Sequence, residues 1–468
     1  MQKFMKPSAK QNNTSGLMQG ERHAALTLAS IFGLRMLGLF MILPIFSLYV
    51  GNYVGYTPFL VGIALGIYGI SSGLLQAPWG WLSDKWGRKP VIIAGLAVFA
   101  LGSFIAACAH DIDVLIFGRF LQGVGAVGST VLALLADLTR PEVRTKAMAL
   151  VGMTIGMSFM LAMLLGPLLG AMIGLSGIFC LTGLLALGAI ASVIWWVPDP
   201  KQSVAHLDQK FDSGQVWWVL FNRELLGLNF GIFILHAILT ASFVVTPLVL
   251  VQSLGVPISH QWMIYLPVLI FAFVTMLPLV ILAEKYRQMH KVMLGAIVVL
   301  AASQFILFEA SRNLSVVGIT LWLFFTAFTT LEALLPSWIS KIAPARRKGT
   351  AMGVYSSMQF FGAFFGGAVG GWLLGAHRYL EIYLICFIVA SLWLWLANRL
   401  PGPPYYSTRM LNVRRPNLDA AGLEQAFLNV PGVIEAAVDP REGVAHLKVD
   451  SQKLDEQAII NLSSSVKA

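Results

Sequence analysis

Stretches of roughly 20 apolar residues return again and again along this chain, each long enough to cross the ~30 Å hydrocarbon core of a bilayer as a helix. Backbone in lipid must satisfy its own hydrogen bonds, which confines such a chain to a bundle of membrane helices. Composition agrees: of 468 residues, 57% are hydrophobic and only 12% are Asp, Glu, Lys or Arg, about half the charged share of a soluble protein. The net charge of +10 would suit a nucleic-acid binder, but the basic residues lie in short loops between apolar runs, which marks membrane topology instead. No nucleic-acid partner is expected. Cys108, Cys180 and Cys386 all fall inside apolar runs, so neither a disulfide framework nor a paired-cysteine metal site is expected, and nothing calls for a cofactor.

The expected architecture is an all-α polytopic membrane protein with twelve transmembrane helices in two six-helix bundles, plus a small C-terminal α+β ferredoxin-like domain. Spans are expected at about 24–50, 59–79, 91–109, 113–136, 147–174, 178–197, 224–250, 258–282, 291–309, 314–339, 350–376 and 379–400. Residues 1–23 read as a polar, basic N-terminal tail with no cleaved signal peptide. The N-terminal bundle is then 24–197, the linker 198–223, the C-terminal bundle 224–400 and the soluble domain 405–468. Loops after even-numbered spans hold the positive charge, for example Lys85, Arg88 and Lys89, or Arg346, Arg347 and Lys348, whereas the opposite loops offer Arg312 and Arg378. The positive-inside bias puts the even loops and both termini in the cytoplasm, in the cell's inner (plasma) membrane. Trp217, Trp218 and Phe221 near the end of the linker either lie along the membrane surface or begin span 7.

The two halves echo each other. Asp84–Lys85 after span 2 correspond to Glu284–Lys285 after span 8. Pro141, Arg144 and Ala147–Met148 are matched, with one inserted residue, by Pro344, Arg347 and Ala351–Met352. Two similar halves with a path between them are a transporter plan.

In the loop after span 2, Gly80 and Gly87 permit a tight turn and close helix approach, and Asp84 is spaced to pair with Arg88. The run Gly80-Trp81-Leu82-Ser83-Asp84-Lys85-Trp86-Gly87-Arg88-Lys89 resembles the signature loop of the major facilitator superfamily. Arg119-Phe120-Leu121-Gln122-Gly123 in span 4 resembles that family's Arg-x-x-Gln-Gly motif, tied to proton coupling in proton-driven members. The alternative is an Arg119 that only caps backbone carbonyls. By the same resemblance, Asp137 joins Asp84 and Arg88 in a cytoplasmic charge cluster that latches the outward-facing state. Gly152, Gly156, Gly166 and Gly170 lie within roughly 40° of one line on span 5, and Pro167 adds a weak point. This stripe is either generic packing or, as Gly166-Pro167-Leu168-Leu169-Gly170 suggests by likeness, the antiporter motif of exporters. Ala162 and Ala171 stand where that motif has glycine. The resemblance covers about 24–400 and is closest in a drug/proton antiporter branch whose members also carry a small C-terminal domain.

Charges away from the membrane boundaries narrow the mechanism: Arg35 in span 1, Arg119 in span 4, His236 in span 7 and Glu332 in span 10. Intramembrane ionisable residues are costly and line functional paths. A carboxyl taken out of water favours its neutral form, which makes Glu332 the leading proton carrier; a static partner for a cation is the alternative. His236 is either titratable or a fixed helix-to-helix hydrogen bond. Arg35 stands where many multidrug members keep an acid, so neutral or anionic cargo is expected.

Beyond Pro401, strands near 410–414, 434–438 and 444–449 and helices near 419–428 and 454–462 give a β-α-β-β-α order. That domain is read as a regulatory or self-association module, or a passive appendage. Overall the chain is expected to export small amphipathic compounds in exchange for protons, not to act as an enzyme. The rivals are an uptake permease on the same fold and a membrane sensor acting through the tail. No P-loop pattern supports ATP drive.

Overall fold

The structure, a computed structural model, describes residues 17–198, 213–344, 347–376, 378, 380–403, 407–413, 420–439, 443–450 and 453–465. Most of the N-terminal tail, most of the linker and the tip of the C-terminal hairpin therefore lie outside the described residues. Among those described, ten helices are long and apolar enough to span a bilayer. One of these, Lys146–Trp196, reverses at Gly174, whose φ of 66° and ψ of −177° are open to glycine but not to other residues. It counts as two spans. The 17-residue helix Glu381–Ala397 completes twelve.

Helix α1 (Gln19–Phe40) stops short of the expected span 1. Pro44 lacks the amide hydrogen a continuing helix needs, and the chain turns through 41–45 into the short α2 (Phe46–Tyr49) and one 3-10 turn (Val50–Asn52). Helices α3 (Pro58–Trp86) and α4 (Arg88–Ala107) are spans 2 and 3, parted at Gly87 with φ 94°. Span 4 is not one helix. It breaks into α5 (Ile112–Val124) and α6 (Gly128–Asp137), because the chain at Gly125 presses on α4: a Cβ there would fall 2.4 Å from Gly95 O and Phe99 N.

Spans 5 and 6 form α7 (Pro141–Trp196). The apolar end of the linker is a separate helix, α8 (Ser213–Phe221), with Trp217 stacked on Phe221 and both exposed. Asn222 caps the next helix by accepting from Leu225 N. The C-terminal half comprises α9 (Arg223–Leu248), extended by a π turn (Val249–Ser253), α10 (Trp262–Lys285), α11 (Met289–Ala310), α12 (Leu314–Ile342), α13 (Lys348–Gly375) and α14 (Glu381–Ala397).

The tail folds as β1 (Ser407–Asn412), α15 (Ala420–Leu428), β2 (Val433–Asp439), β3 (Val444–Val449) and α16 (Glu456–Ser465). Its antiparallel sheet has the order β1-β3-β2, a ferredoxin-like arrangement with three strands among the described residues, and closes on its own core of Val413, Phe427, Leu447, Val449 and Ile459.

The two halves meet most extensively where α3 lies against α13. Gly62, Gly66, Gly69 and Gly73 line one side of α3. A Cβ on Gly62 would sit 2.0 Å from Gly367 O, and one on Gly66 2.8 Å from the Phe364 backbone, so backbone touches backbone. Ser357 Oγ donates to Gly73 O at 2.9 Å. This seam runs toward the end of the bundle that holds Pro58, Gly371 and Gly375. At the opposite end, where the basic loops lie, Gly152, Gly156, Gly349 and Gly353 meet nothing within 4 Å. Close backbone contact between the halves is thus concentrated toward the end that holds Pro58 and Gly375, here termed the closed end.

Candidate functional site

All four intramembrane ionisable residues take part in hydrogen bonds, and these differ in kind. Arg119 on α5 is 2% exposed. Its Nε donates to Ala64 O (3.2 Å), Nη2 to Leu65 O (3.2 Å) and Nη1 to Gln122 Oε1 (2.7 Å), and Gln122 passes on to Ser103 Oγ at 2.8 Å. The guanidinium also lies over the Tyr68 ring, 5.3 Å from its centroid. This is the carbonyl-capping arrangement: the fork ties α5 to α3 with no carboxylate in the set.

Glu332 on α12 and His236 on α9 belong to one cluster, joined by a residue that the sequence reading passed over. Gln359 on α13 donates from Nε2 to Glu332 Oε1 at 3.1 Å and lies 2.8 Å from His236 Nε2. Both Nε2 hydrogens are thereby used, and His236 Nε2 acts as acceptor. The ring proton then belongs on Nδ1, which faces Ile232 O at 3.3 Å. In this arrangement His236 joins α9 to α13 through Gln359, and its ring packs edge-on against Phe328. Glu332 is not fixed at both oxygens. Its side chain is 37% exposed, yet Oε2 is enclosed with no hydrogen-bond partner and lies 3.8 Å from His236 Nε2, too far for a hydrogen bond. The Tyr355 hydroxyl, also unpartnered, lies in the same neighbourhood. The amide side chain of Gln359, following Ser356 and Ser357 within span 11, was the signal available for it.

Arg35 on α1 is 4% exposed. It donates from Nη1 to Tyr68 OH at 3.3 Å and lies 5.1 Å from the Phe32 ring centroid. The structure therefore separates the predicted residues into two groups. Arg35, Arg119 and Gln122 gather around Tyr68 in the N-terminal half, whereas Glu332 and His236 lie in the C-terminal half. Tyr68 reaches across to Phe360, beside Gln359, at 6.1 Å between ring centroids.

At the basic-loop end, Arg88 pairs with Asp84 at 2.5 Å and with Asp137 at 3.1 Å, and donates to Ser83 Oγ at 2.6 Å. Lys89 Nζ donates to Val197 O at 2.9 Å. All these partners belong to the N-terminal half, so the cluster does not depend on contact between the halves. Gly87 supplies the left-handed turn between the paired residues, while Gly80 has only Ser129 Oγ near its Cβ position, at 3.9 Å. Two further pairs were missed. Glu21 binds Arg140 at 2.8 Å through Nε and at 3.0 Å through the backbone N. Glu284 binds Lys341 and Ser337, each at 2.5 Å.

On span 5 the glycine stripe divides. Gly166 and Gly170 receive the turn after α1, with Met41 O 2.5 Å from a Gly166 Cβ and Ile45 Cδ1 3.0 Å from that of Gly170; Gly152 and Gly156 receive no neighbour. Pro167 lies within helical backbone, and the departure from helical geometry falls at Gly174 instead. The close approach between halves belongs to the α3–α13 glycines, whose 4-3-4 spacing sets them within about 60° of one line.

Two bundles of six spans meeting along a seam, with polar groups buried at their junction, define a membrane transporter. The model of the Major Facilitator Superfamily matches residues 28–329 and 228–412, and the chain belongs to that family. The Inner membrane transport protein YajR of Escherichia coli is 40% identical over 451 residues, covering 96% of this chain and 99% of that one. Multidrug resistance protein MdtH of Cronobacter sakazakii is 26% identical over 350 residues, 74% of this chain and 85% of that one. Among solved structures, a bacterial homolog of the human lysosomal transporter Spinster, inward-facing and occupied, superposes with a TM-score of 0.70 at 13% identity, covering 82% of this chain and 98% of that one. The chain is a multi-pass membrane transporter for a small molecule rather than an enzyme.

Proposed function

We propose that this transporter exports small amphipathic compounds from the cytoplasm across the inner membrane, in exchange for protons. The observation that carries the reading is Glu332: a carboxylate in mid-membrane with one oxygen held by Gln359 and the other enclosed without a donor. Such an oxygen gains from taking a proton, because an unpaired charge in that setting is costly. We read the basic-loop end, assigned to the cytoplasm by the positive-inside bias, as the parted end in this state, because the close contact between the halves lies toward the other end. In the opposite state Glu332 faces the other side and loads a proton. On return to the parted state it releases that proton inward as cargo is taken up. Bundles 24–197 and 224–400 are the moving bodies, joined by linker 198–223. The Asp84–Arg88–Asp137 cluster braces the N-terminal one and latches the outward-facing state when the parted end closes.

The likeness to a protein named for multidrug resistance supports the export direction. So does the span-5 sequence, although only Gly166 and Gly170 of its stripe receive a neighbour in this state. One proton moving inward across about 100 mV releases about 2.3 kcal/mol, and about one pH unit adds about 1.4 kcal/mol. Together these sustain a gradient of a few hundredfold for neutral cargo at one proton per cycle.

The test uses purified protein in liposomes with an internal pH dye, an imposed proton gradient and a panel of neutral, anionic and cationic compounds. Wild type is expected to show compound-stimulated proton flux that Glu332→Gln loses. Equal flux in both proteins removes Glu332 as the carrier. No stimulated flux for any compound favours uptake or sensing instead.

A further inference from the structure

We infer that the cavity between the start of α9 and the end of α14 holds the headgroup of an anionic phospholipid, taken from the leaflet at the basic-loop end. Asn222, Arg223, Glu224, Arg399, Leu400 and Pro401 line a space of about 330 Å³ there, within the range of pockets that hold small molecules. Its floor is set by Gly227: a Cβ on that residue would fall 2.7 Å from Leu400 Cδ2, so the glycine lets the chain leaving α14 settle against the first turns of α9. The two arginines outnumber the one carboxylate of the lining, and among the described residues neither Arg223 nor Arg399 is ion-paired. Arg399 instead lies over the Trp395 ring, 3.6 Å from its centroid, a contact that steadies the guanidinium and leaves its N–H groups to donate. Asn222 accepts from Leu225 N through Oδ1, which leaves its Nδ2 to donate. Two guanidiniums and an amide donor lining one space suit a phosphodiester. Glu224 accepts from headgroup hydroxyls, such as the glycerol of phosphatidylglycerol.

The surroundings select a lipid over a soluble phosphate. Phe221, stacked on Trp217, immediately precedes the lining, and Trp395 lies under Arg399; all three rings are exposed, as aromatic side chains at headgroup depth are. From the cavity into the membrane, Leu226 and Phe230 on α9 and Leu392 and Ile388 on α14 are exposed at one-turn spacing, an apolar path for acyl chains. A basic pocket between membrane helices on the cytoplasmic side is the setting in which anionic headgroups bind. The position gives occupancy a consequence. Asn222 and Arg223 end the linker between the bundles, whereas Leu400 and Pro401 begin the tether to the small domain, so one headgroup holds both chain crossings at the membrane surface.

The experiment titrates phosphatidylglycerol into the purified full chain in detergent and follows bound lipid by native mass spectrometry, with phosphatidylcholine as the neutral comparison. Wild type is expected to hold one phosphatidylglycerol about thirtyfold more tightly than Arg223→Gln/Arg399→Gln, and phosphatidylcholine equally weakly in both. Lys285→Gln/Lys291→Gln removes the same charge at the same end, outside the cavity, and is expected to bind as wild type does. Should the double arginine variant unfold at a lower temperature without lipid, Arg223→Gln alone decides, since it keeps the Trp395 contact; its expected loss is about fivefold. Equal affinity in wild type and the arginine variants overturns the inference, and so does an equal loss in the lysine pair, which would mark a general surface attraction. Phosphatidylcholine held as tightly as phosphatidylglycerol overturns it as well. Inorganic phosphate held as tightly as the lipid would give the cavity to a free anion and overturn the lipid assignment. Glu332→Gln is expected to bind the lipid as wild type does, so failure of the proton reading and failure of this one are distinguishable.

Discussion

At the residue scale, Arg119 and Arg35 show how one side-chain type takes different tasks from its acceptors. Arg119 spends its fork on Ala64 O, Leu65 O and Gln122 Oε1, which a lysine's single point charge cannot reproduce. Arg119→Lys is therefore expected to leave at least one buried acceptor unmet, at about 1–3 kcal/mol, read as a lowered unfolding midpoint in detergent. Compound-stimulated proton flux per surviving molecule should persist. Lost flux at an unchanged midpoint would instead put Arg119 in the proton path. That Arg119 and Gln122 share a helical face followed from their spacing; that the other acceptors are carbonyls of α3 did not, because backbone partners leave no trace in sequence. Gln359 was missed for a related reason: one amide in span 11 acquires meaning only once α9 and α12 bring His236 and Glu332 beside it.

At the element scale, glycine position decides which helices can touch. Both the span-5 and the span-2 stripes are visible as spacing, but spacing does not name the opposing helix. In this state the α3 stripe faces the backbone of α13, whereas Gly152 and Gly156 of α7 face none. Gly62→Ala forces a methyl to within 2.0 Å of Gly367 O, an overlap whose relief costs about 1–3 kcal/mol. The closed end is expected to open, shifting the balance between states by about 5–150-fold. Spin labels at Val54 and His260, on loops of opposite halves at that end, should report a longer distance in the variant; an unchanged distribution would remove the seam from gating. The breaks at 41–45 and 125–127 lie at this scale too. Pro44 announced the first, while the second depends on how closely Gly125 meets α4.

At the scale of the whole molecule, the small domain sits at the basic-loop end. Lys448 on β3, paired with Glu435 at 3.1 Å, also donates from Nζ to Ala343 O, just past the end of α12. A cation at the carbonyl end of a helix is favourable, and α12 carries Glu332, so the domain touches an element central to the proposed cycle. Lys448→Ala is expected to leave both parts folded while raising the undocked fraction about fivefold, for a contact of about 1 kcal/mol. Faster protease cleavage near Gly402 would register this; an unchanged rate would mean the contact does not hold the domain. A fluorescent reporter fused after Ala468 should fold and emit only if this end lies in the cytoplasm.

What the sequence determined alone is what repetition and solvent dictate. Twelve apolar runs require a helical bundle in lipid, basic residues gather in alternate loops, and the motif after span 2 points to the family. A period-two and period-three-to-four pattern after Pro401 outlines the β-α-β-β-α tail. What only the tertiary structure decided is which groups converge. The seam, the Glu332–Gln359–His236 cluster and the Arg223–Arg399 cavity each join residues far apart in the chain, through backbone atoms or single side chains. Periodicity reports which face of a helix is apolar, but contact between helices depends on crossing geometry and on where a helix breaks, and these arise only when all the spans pack together.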